Sequence, residues 1–255
     1  MPVKRFFNGA PGFPGALFLA VLLVLAGAVS IHAFTLQPMG VSIADMGASS
    51  VGTFRLENDG KERVAIRVTV LTRSMGEDGK ETNGAAGTQF LVFPSRFVLE
   101  PGAQQSFKVQ WKGGPVGDTE RAFRVVAEQL PVEFQERQGS GITILFKYVG
   151  SLYVVPAKVR PAETVVKSAL GIEKNSKRGV MLQVENRGGT HVIMVESKLG
   201  IKIGDQDYRM LDPEALEEIE GQNMLAGVVR NFFVPFPEAT IGDSYDVRFS
   251  YDAEW

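Results

Sequence analysis

The chain has 255 residues, a formal net charge of −2, 44% hydrophobic and 22% charged residues, and no cysteine. These values suit a globular protein of about two domains. They exclude disulfide staples, thiolate-held metal or iron–sulfur centres and a cysteine nucleophile, and the lack of a basic excess argues against nucleic acid as a partner.

Lys4 and Arg5 precede an uncharged apolar run over 16–29, and Ser30-Ile31-His32-Ala33 follows it. The run has the length of a signal-peptide core and is shorter than the roughly 20 apolar residues of a membrane span. The pattern predicts an export signal over 1–33, cleaved after Ala33. An uncleaved anchor helix is the other reading, since 12–29 can be counted as a longer span. No later apolar run has that length. Loss of Lys4 and Arg5 with the signal would leave 25 basic against 29 acidic side chains, a balance of −4.

From there the chain reads as short strands punctuated by turns. Residues 54–58, 64–70 and 107–111 alternate apolar and polar side chains, several of them β-branched, and a further short apolar segment, 123–127, precedes Pro131. Asp59-Gly60, Pro101-Gly102 and Gly113-Gly114-Pro115 supply turn chemistry between them. The polar stretch 74–88, with Gly84 and Gly87, reads as a surface loop. Only 213–220 looks helical, with Pro213 at its start and acids in its first turn. Prolines 156 and 161 bracket a short basic segment that would stiffen a domain junction. The two halves also echo each other: a strand ending at Asn58 before Gly60 in the first, and one ending at Asn186 before Gly188 in the second. The pattern predicts an all-β protein of two immunoglobulin-like sandwiches in tandem, with boundaries 1–33 for the signal, 34–156 and 157–255.

Catalytic patterns fail. His191 is the single histidine after the signal, and no Gly-x-Ser-x-Gly elbow accompanies it. One histidine without cysteine does not make a zinc site. No Gly-x-x-x-x-Gly-Lys-Ser/Thr loop is present. His191, following Asn186-Arg187-Gly188-Gly189-Thr190, reads as a structural residue at a strand entry. The pair Glu217 and Glu218 reads as solvated. The chain is therefore expected to be no enzyme, with no cofactor, metal or small-molecule substrate.

The segment 90–156 carries the functional signal. Phe90-Leu91-Val92-Phe93-Pro94 leads to the turn at Pro101-Gly102. Arg124-Val125-Val126-Ala127-Glu128-Gln129-Leu130-Pro131 follows, then a polar hairpin over 133–140. A long, largely apolar strand over 141–155 then runs into Pro156. In this order of motifs the chain resembles the periplasmic pilus-assembly chaperones of the chaperone–usher pathway, over essentially all of the exported sequence. The resemblance implies a protein that holds a pilus or fimbrial subunit, completes its sandwich with a lent strand and passes it to an outer-membrane usher.

Ile142, Ile144 and Phe146 stand at i, i+2 and i+4, on one face of a strand. The resemblance makes them the side chains lent to the guest. On alternation alone they serve equally as the domain's own core, because Leu145 opposite is apolar too. The family also anchors the guest's C-terminal carboxylate with two basic residues in the cleft between domains. No basic residue stands at 38–41, so Lys147 and Arg124 are the candidates, with a plain surface lysine as the competing reading for Lys147. An unloaded edge strand also allows self-association. Two other classes compete: a secreted immunoglobulin-like structural or pilin-like protein, and a sandwich lectin or carbohydrate-active enzyme.

Overall fold

The computed structural model describes residues 34–132 and 144–254. The expected signal with its cleavage site, the polar hairpin over 133–140, and Ile142 lie outside the described residues. In the first half the strands are β1 (Phe34–Gln37), β2 (Gly40–Ala44), β3 (Val51–Asn58), β4 (Val64–Met75), β5 (Glu81–Ala85), β6 (Phe90–Phe93), β7 (Arg96–Leu99), β8 (Gln104–Trp111), β9 (Arg121–Gln129) and β10 (Lys147–Val155). In the second half they are β11 (Thr164–Lys174), β12 (Lys177–Asn186), β13 (Val192–Lys202), β14 (Tyr208–Met210), β15 (Gln222–Met224), β16 (Val229–Pro235) and β17 (Val247–Glu254). No helix among the described residues is long and apolar enough to cross a membrane.

Each half packs two sheets face to face. The first half stacks β1-β3-β8-β6 on β2-β10-β9-β4-β5, with β7 also on β4. Between Phe93 and Arg96 the chain leaves one sheet for the other, since β6 pairs with β8 and β7 with β4. The second half stacks β11-β12-β16 on a sheet centred on β13, which pairs with β14, β15 and β17. No strand of one half pairs with a strand of the other among the described residues. The all-β, two-domain architecture expected from the sequence is the one observed.

The alternation works as expected because each strand has one face on a core. Phe54 and Leu56, and Phe107 and Val109, point inward and are buried, while Arg55 and Lys108 between them are exposed. Phe123, Val125 and Ala127 join the same core, but on the other face of that strand Val126 is buried too and Arg124 is half-buried. Val180, Leu182 and Val184 do the same against Met194, Leu199, Phe232 and Val234 in the second half. At roughly 1.5–3 kcal/mol for each large buried side chain, these rows dominate the stability of both domains.

The echo between the halves has a structural basis. Asn58 is buried, donates Nδ2 to the Glu62 and Leu99 carbonyls, and accepts the Gly60 amide on Oδ1. Asn186 is buried, donates Nδ2 to the carbonyls of Thr190, Met224 and Leu225, and accepts the amides of Gly188 and Glu163. Their main-chain carbonyls take the amides of Gly102 and Gly227, both at positive φ, where a Cβ would be strained. One corner, built twice, pins a strand end to the turn that crosses over it.

Three local expectations change. The helix over 213–220 is a single 3-10 turn, Pro213–Leu216, which pushes Leu216 and Ile219 into the second core before Gly221, at positive φ, redirects the chain into β15. The polar stretch 74–88 is not a plain loop: β4 continues to Met75 and pairs with β5 from Leu71↔Ala85 to Met75↔Glu81. Main-chain pairing carries this hairpin where side-chain alternation gave no sign of it. The long strand ending at Pro156 is laddered from Lys147 among the described residues, with 144–146 outside the ladder.

Candidate functional site: an open strand edge and the cleft beside it

β10 is fully laddered to β9 on one edge, from Lys147↔Glu128 to Val154↔Arg121. On the other edge β2 covers it, in parallel, only from Ser151 to Val155. The stretch Lys147 to Gly150 thus has no strand partner on that side among the described residues. Ile144 and Leu145, just before it, are exposed at 52% and 44%.

The pleat divides the side chains of this segment. Phe146 and Tyr148 are half-buried and pack on the first core, Tyr148 with its ring 4.9 Å from that of Phe34. Lys147 and Val149 point the other way and are exposed, followed on the same face by Ser151 and Tyr153. Of the triplet read from the sequence, Ile144 is exposed, Phe146 leans into its own domain, and Ile142 lies outside the described residues. Lys147 makes no ion pair among the described residues. Glu128, opposite it, is engaged at 2.7 Å by Arg67.

Arg124 sits on β9 directly across from Ser151, and its Nη1 donates to Ser151 Oγ at 2.7 Å. The rest of its guanidinium grips Glu81 in two contacts, with Nε at 2.9 Å from Oε2. Arg73, on β4 and only 3% exposed in its side chain, holds the same carboxylate through Nε at 2.9 Å and Nη2 at 2.6 Å. Burial pushes the Glu81 carboxyl up, but the hydrogen bonds from Arg124 and Arg73 together outweigh it and hold the group below its ordinary range. Arg73 Nη1 also donates to Tyr153 Oη at 3.0 Å, and Asn223 Nδ2, from the second domain, donates to the same oxygen at 2.8 Å.

The domains meet at Tyr153. Its ring stacks on His191 of the second domain with centroids 3.5 Å apart and planes 4° from parallel. His191 Nδ1 lies 2.8 and 3.0 Å from the two oxygens of Glu120, a first-domain carboxylate only 2% exposed in its side chain. The His191 amide donates to the same carboxylate, and the Glu120 amide donates to the Gly189 carbonyl at 2.9 Å. Because a carboxylate only accepts, Nδ1 carries the proton. Sequence reading found His191 structural but missed its partner, which lies 71 residues upstream.

A second bridge crosses the cleft at the tip of the β4–β5 hairpin. The Asn231 amide donates to the Glu77 carbonyl at 2.8 Å, and Asn231 Nδ2 donates to Glu77 Oε2 at 3.0 Å. A Cβ on Gly79 would stand 2.1 Å from Arg230 Nη2, so the hairpin backbone lies flat on that guanidinium. Arg230 is buried and has no carboxylate within salt-bridge distance among the described residues. Burial lowers its pKa, partly offset by Asp78. Its Nε and the Asn223 Oδ1 are buried without a hydrogen-bond partner among the described residues. None of Arg73, Glu81, Asn223 or Arg230 stood out in the sequence, where each looked like an ordinary solvated polar residue.

Residues 35–160 match the family model described as pili and flagellar-assembly chaperone, PapD N-terminal domain. Among solved structures, the class 5 fimbriae chaperone CfaA is similar with a TM-score of 0.53 at 12% identity, over 86% of this chain and 99% of that one. The YadV chaperone gives 0.53 at 13% identity, over 85% and 91%. A chain of the Salmonella enterica complex of SafA pilin with the SafB chaperone gives 0.50 at 15% identity, over 88% and 98%. No curated protein sequence matches the chain. At such identities the likeness to these structures is one of fold.

Proposed function

The chain belongs to the pilus-assembly chaperones of the chaperone–usher pathway, and we propose that it captures a pilus or fimbrial subunit in the periplasm by lending it the strand that leads into β10. Chaperones of this family are not enzymes. One of the solved structures similar to this chain in fold is a complex of SafA pilin with the SafB chaperone, which supports a pilin-type subunit as the guest. The reading takes 1–33 as an export signal cleaved after Ala33, 34–156 as the subunit-binding domain and 157–255 as the second sandwich, with hand-over to an outer-membrane usher.

The observation that carries this reading is the open edge of β10 from Lys147 to Gly150, continued by exposed Ile144. An extended guest segment laid on that edge gains main-chain hydrogen bonds, and the lent apolar side chains fill the groove left by its missing strand. Ile144 leads the donor set, with Ile142 and Phe146 in phase with it. Arg124, beside Ser151 at the end of the open edge, is the better placed carboxylate anchor. Lys147 flanks the other end.

The test co-exports the chaperone with the small exported β-proteins encoded beside its gene. A 1:1 complex is expected by size-exclusion chromatography with light scattering. Ile144→Asp removes roughly 1.5–3 kcal/mol of apolar burial and puts a carboxylate into the groove, so capture should fall at least about 100-fold. The isolated variant should melt like the parent, because the side chain is exposed. Unchanged capture by Ile144→Asp would sink the strand-lending reading.

A further inference from the structure

We propose that Glu81 is an internal stand-in for a guest carboxylate: in the unloaded protein the β4–β5 hairpin straps the cleft shut, and it releases Arg73 and Arg124 to the carboxylate of an incoming subunit. The proposal rests on the strand-lending reading above.

Two guanidiniums share the single Glu81 carboxylate, and a third, Arg230, is buried without a carboxylate in salt-bridge reach among the described residues. The cleft therefore holds more fixed positive charge than the hairpin neutralises, and a buried unpaired cation favours any anion that can reach it. The orphaned Arg230 Nε and the second-domain Asn223 Oδ1 mark polar groups in the same cleft whose hydrogen-bonding capacity is unused.

The cations are fixed and their occupant is not. Arg73 and Arg124 stand on β4 and β9, inner strands laddered on both edges, and each is steadied by a second acceptor, Tyr153 Oη or Ser151 Oγ. Glu81 opens β5, the outermost strand of its sheet, whose other four residues are exposed and which, among the described residues, pairs only with β4. The tip is tied to the second domain by polar contacts to Asn231 and by Gly79 lying on Arg230. Such contacts exchange with water at small net cost, and exposed edge hairpins belong to the low-stability end of a fold.

Position supplies the last link. Ser151 is where the open edge of β10 ends and β2 begins to cover it, and Arg124 lies on Ser151. A guest strand on the open edge, about 4.8 Å from β10 and running toward Ser151, delivers its terminal carboxylate beside Arg124. One carboxylate then replaces another on the same two guanidiniums, which makes the exchange nearly neutral electrostatically and leaves the apolar donor contacts to decide it.

The test uses the full exported chain and two synthetic ten-residue peptides of alternating valine and threonine, identical except that one ends in a free carboxylate and the other in an amide. Glu81→Gln is expected to bind the carboxylate peptide at least tenfold tighter than the parent does, and the amide peptide equally. Glu77→Gln/Asn231→Ala, which removes the side-chain bond of the latch, keeps its main-chain bond and leaves the arginines untouched, should move in the same direction by a smaller amount, and it stands in if Glu81→Gln does not fold. Because the chain has no cysteine, Glu77→Cys/Asn231→Cys introduces the sole disulfide, closing the strap when oxidised; it should lose the carboxylate preference and regain it on reduction. Binding of both peptides equally by Glu81→Gln, or binding unchanged by the staple, overturns the strap alone. Failure of every form to bind either peptide overturns the strand-lending reading and the strap with it.

Discussion

The Glu120–His191 contact joins the two domains, and its removal has a size that follows from its geometry. In His191→Ala the Glu120 carboxylate, 2% exposed, keeps the main-chain amide of residue 191 but loses the Nδ1 proton shared by both of its oxygens. A hydrogen bond to a buried charge contributes about 1.5–3 kcal/mol. The lost ring stack on Tyr153 adds about 0.5–1.5 kcal/mol. The substitution should therefore cost about 2–4.5 kcal/mol. Glu120→Gln keeps an acceptor for the amide and changes the charge-assisted bond to a neutral one, so it should cost only about 1 kcal/mol. Urea unfolding checks both, in a Trp255→Phe background so that fluorescence reports Trp111 in the first core alone. Circular dichroism followed in parallel reports both domains. The parent should unfold with the two signals coincident, whereas His191→Ala should separate them, because the contact that couples the domains is gone. Coincident transitions in His191→Ala, within about 0.5 kcal/mol of the parent, would refute the lock.

Glu81 gives a pH prediction with a definite sign. Its folded carboxyl is held below the ordinary value, so its contribution to stability is complete above that ordinary range and is lost as pH falls through the folded value. Unfolding free energy measured from about pH 6 to about pH 3 should fall less steeply in Glu81→Gln than in the parent. The twin asparagines give another test: Asn186→Ala strips partners from three buried carbonyls and two amides, and Asn58→Ala from two carbonyls and one amide. Asn186→Ala should cost roughly 3 kcal/mol and Asn58→Ala less, by chemical denaturation of each domain's own signal.

What the sequence revealed and what it hid divide along a physical line. Val64–Val70 and Phe107–Trp111 were legible because a buried face imposes a period of two on the side chains, and Phe123–Ala127 as a short apolar run before Pro131. Asn58 and Asn186 were legible as a repeated motif, since the Asn-x-Gly turn is local, although the carbonyls they reach lie up to 41 residues away. The cleft was not legible. Arg73, Glu81 and Arg124 meet only because β5 folds back on β4 and β9 lies beside it, and Tyr153, Asn223 and His191 join them only when two domains close. A charged residue in a polar stretch carries no local sign of its partner. The 3-10 turn at 213–216 misled for the opposite reason: its proline start and acidic first turn are genuine helix signals, overridden when Leu216 and Ile219 were drawn into the core.

The pleat of β10 explains how one strand can serve two sandwiches. Within the first domain, Phe146, Tyr148, Leu152 and Val154 face its core, so that face is occupied from 146 onward, and Phe146 is already only half-covered. Ile144, two residues before Phe146, is 52% exposed. On the proposed reading, a strand continued back through Ile142 would present the same face, now overhanging its own domain, to a guest that lacks a strand. Core and donor then cease to be rival readings of one triplet, for the row is shared lengthwise, with Phe146 at the border. Lys147 is exposed on the opposite face and leaves that apolar row intact, and an exposed charge on an open strand edge is of the kind that commonly protects sheet edges from pairing with another chain.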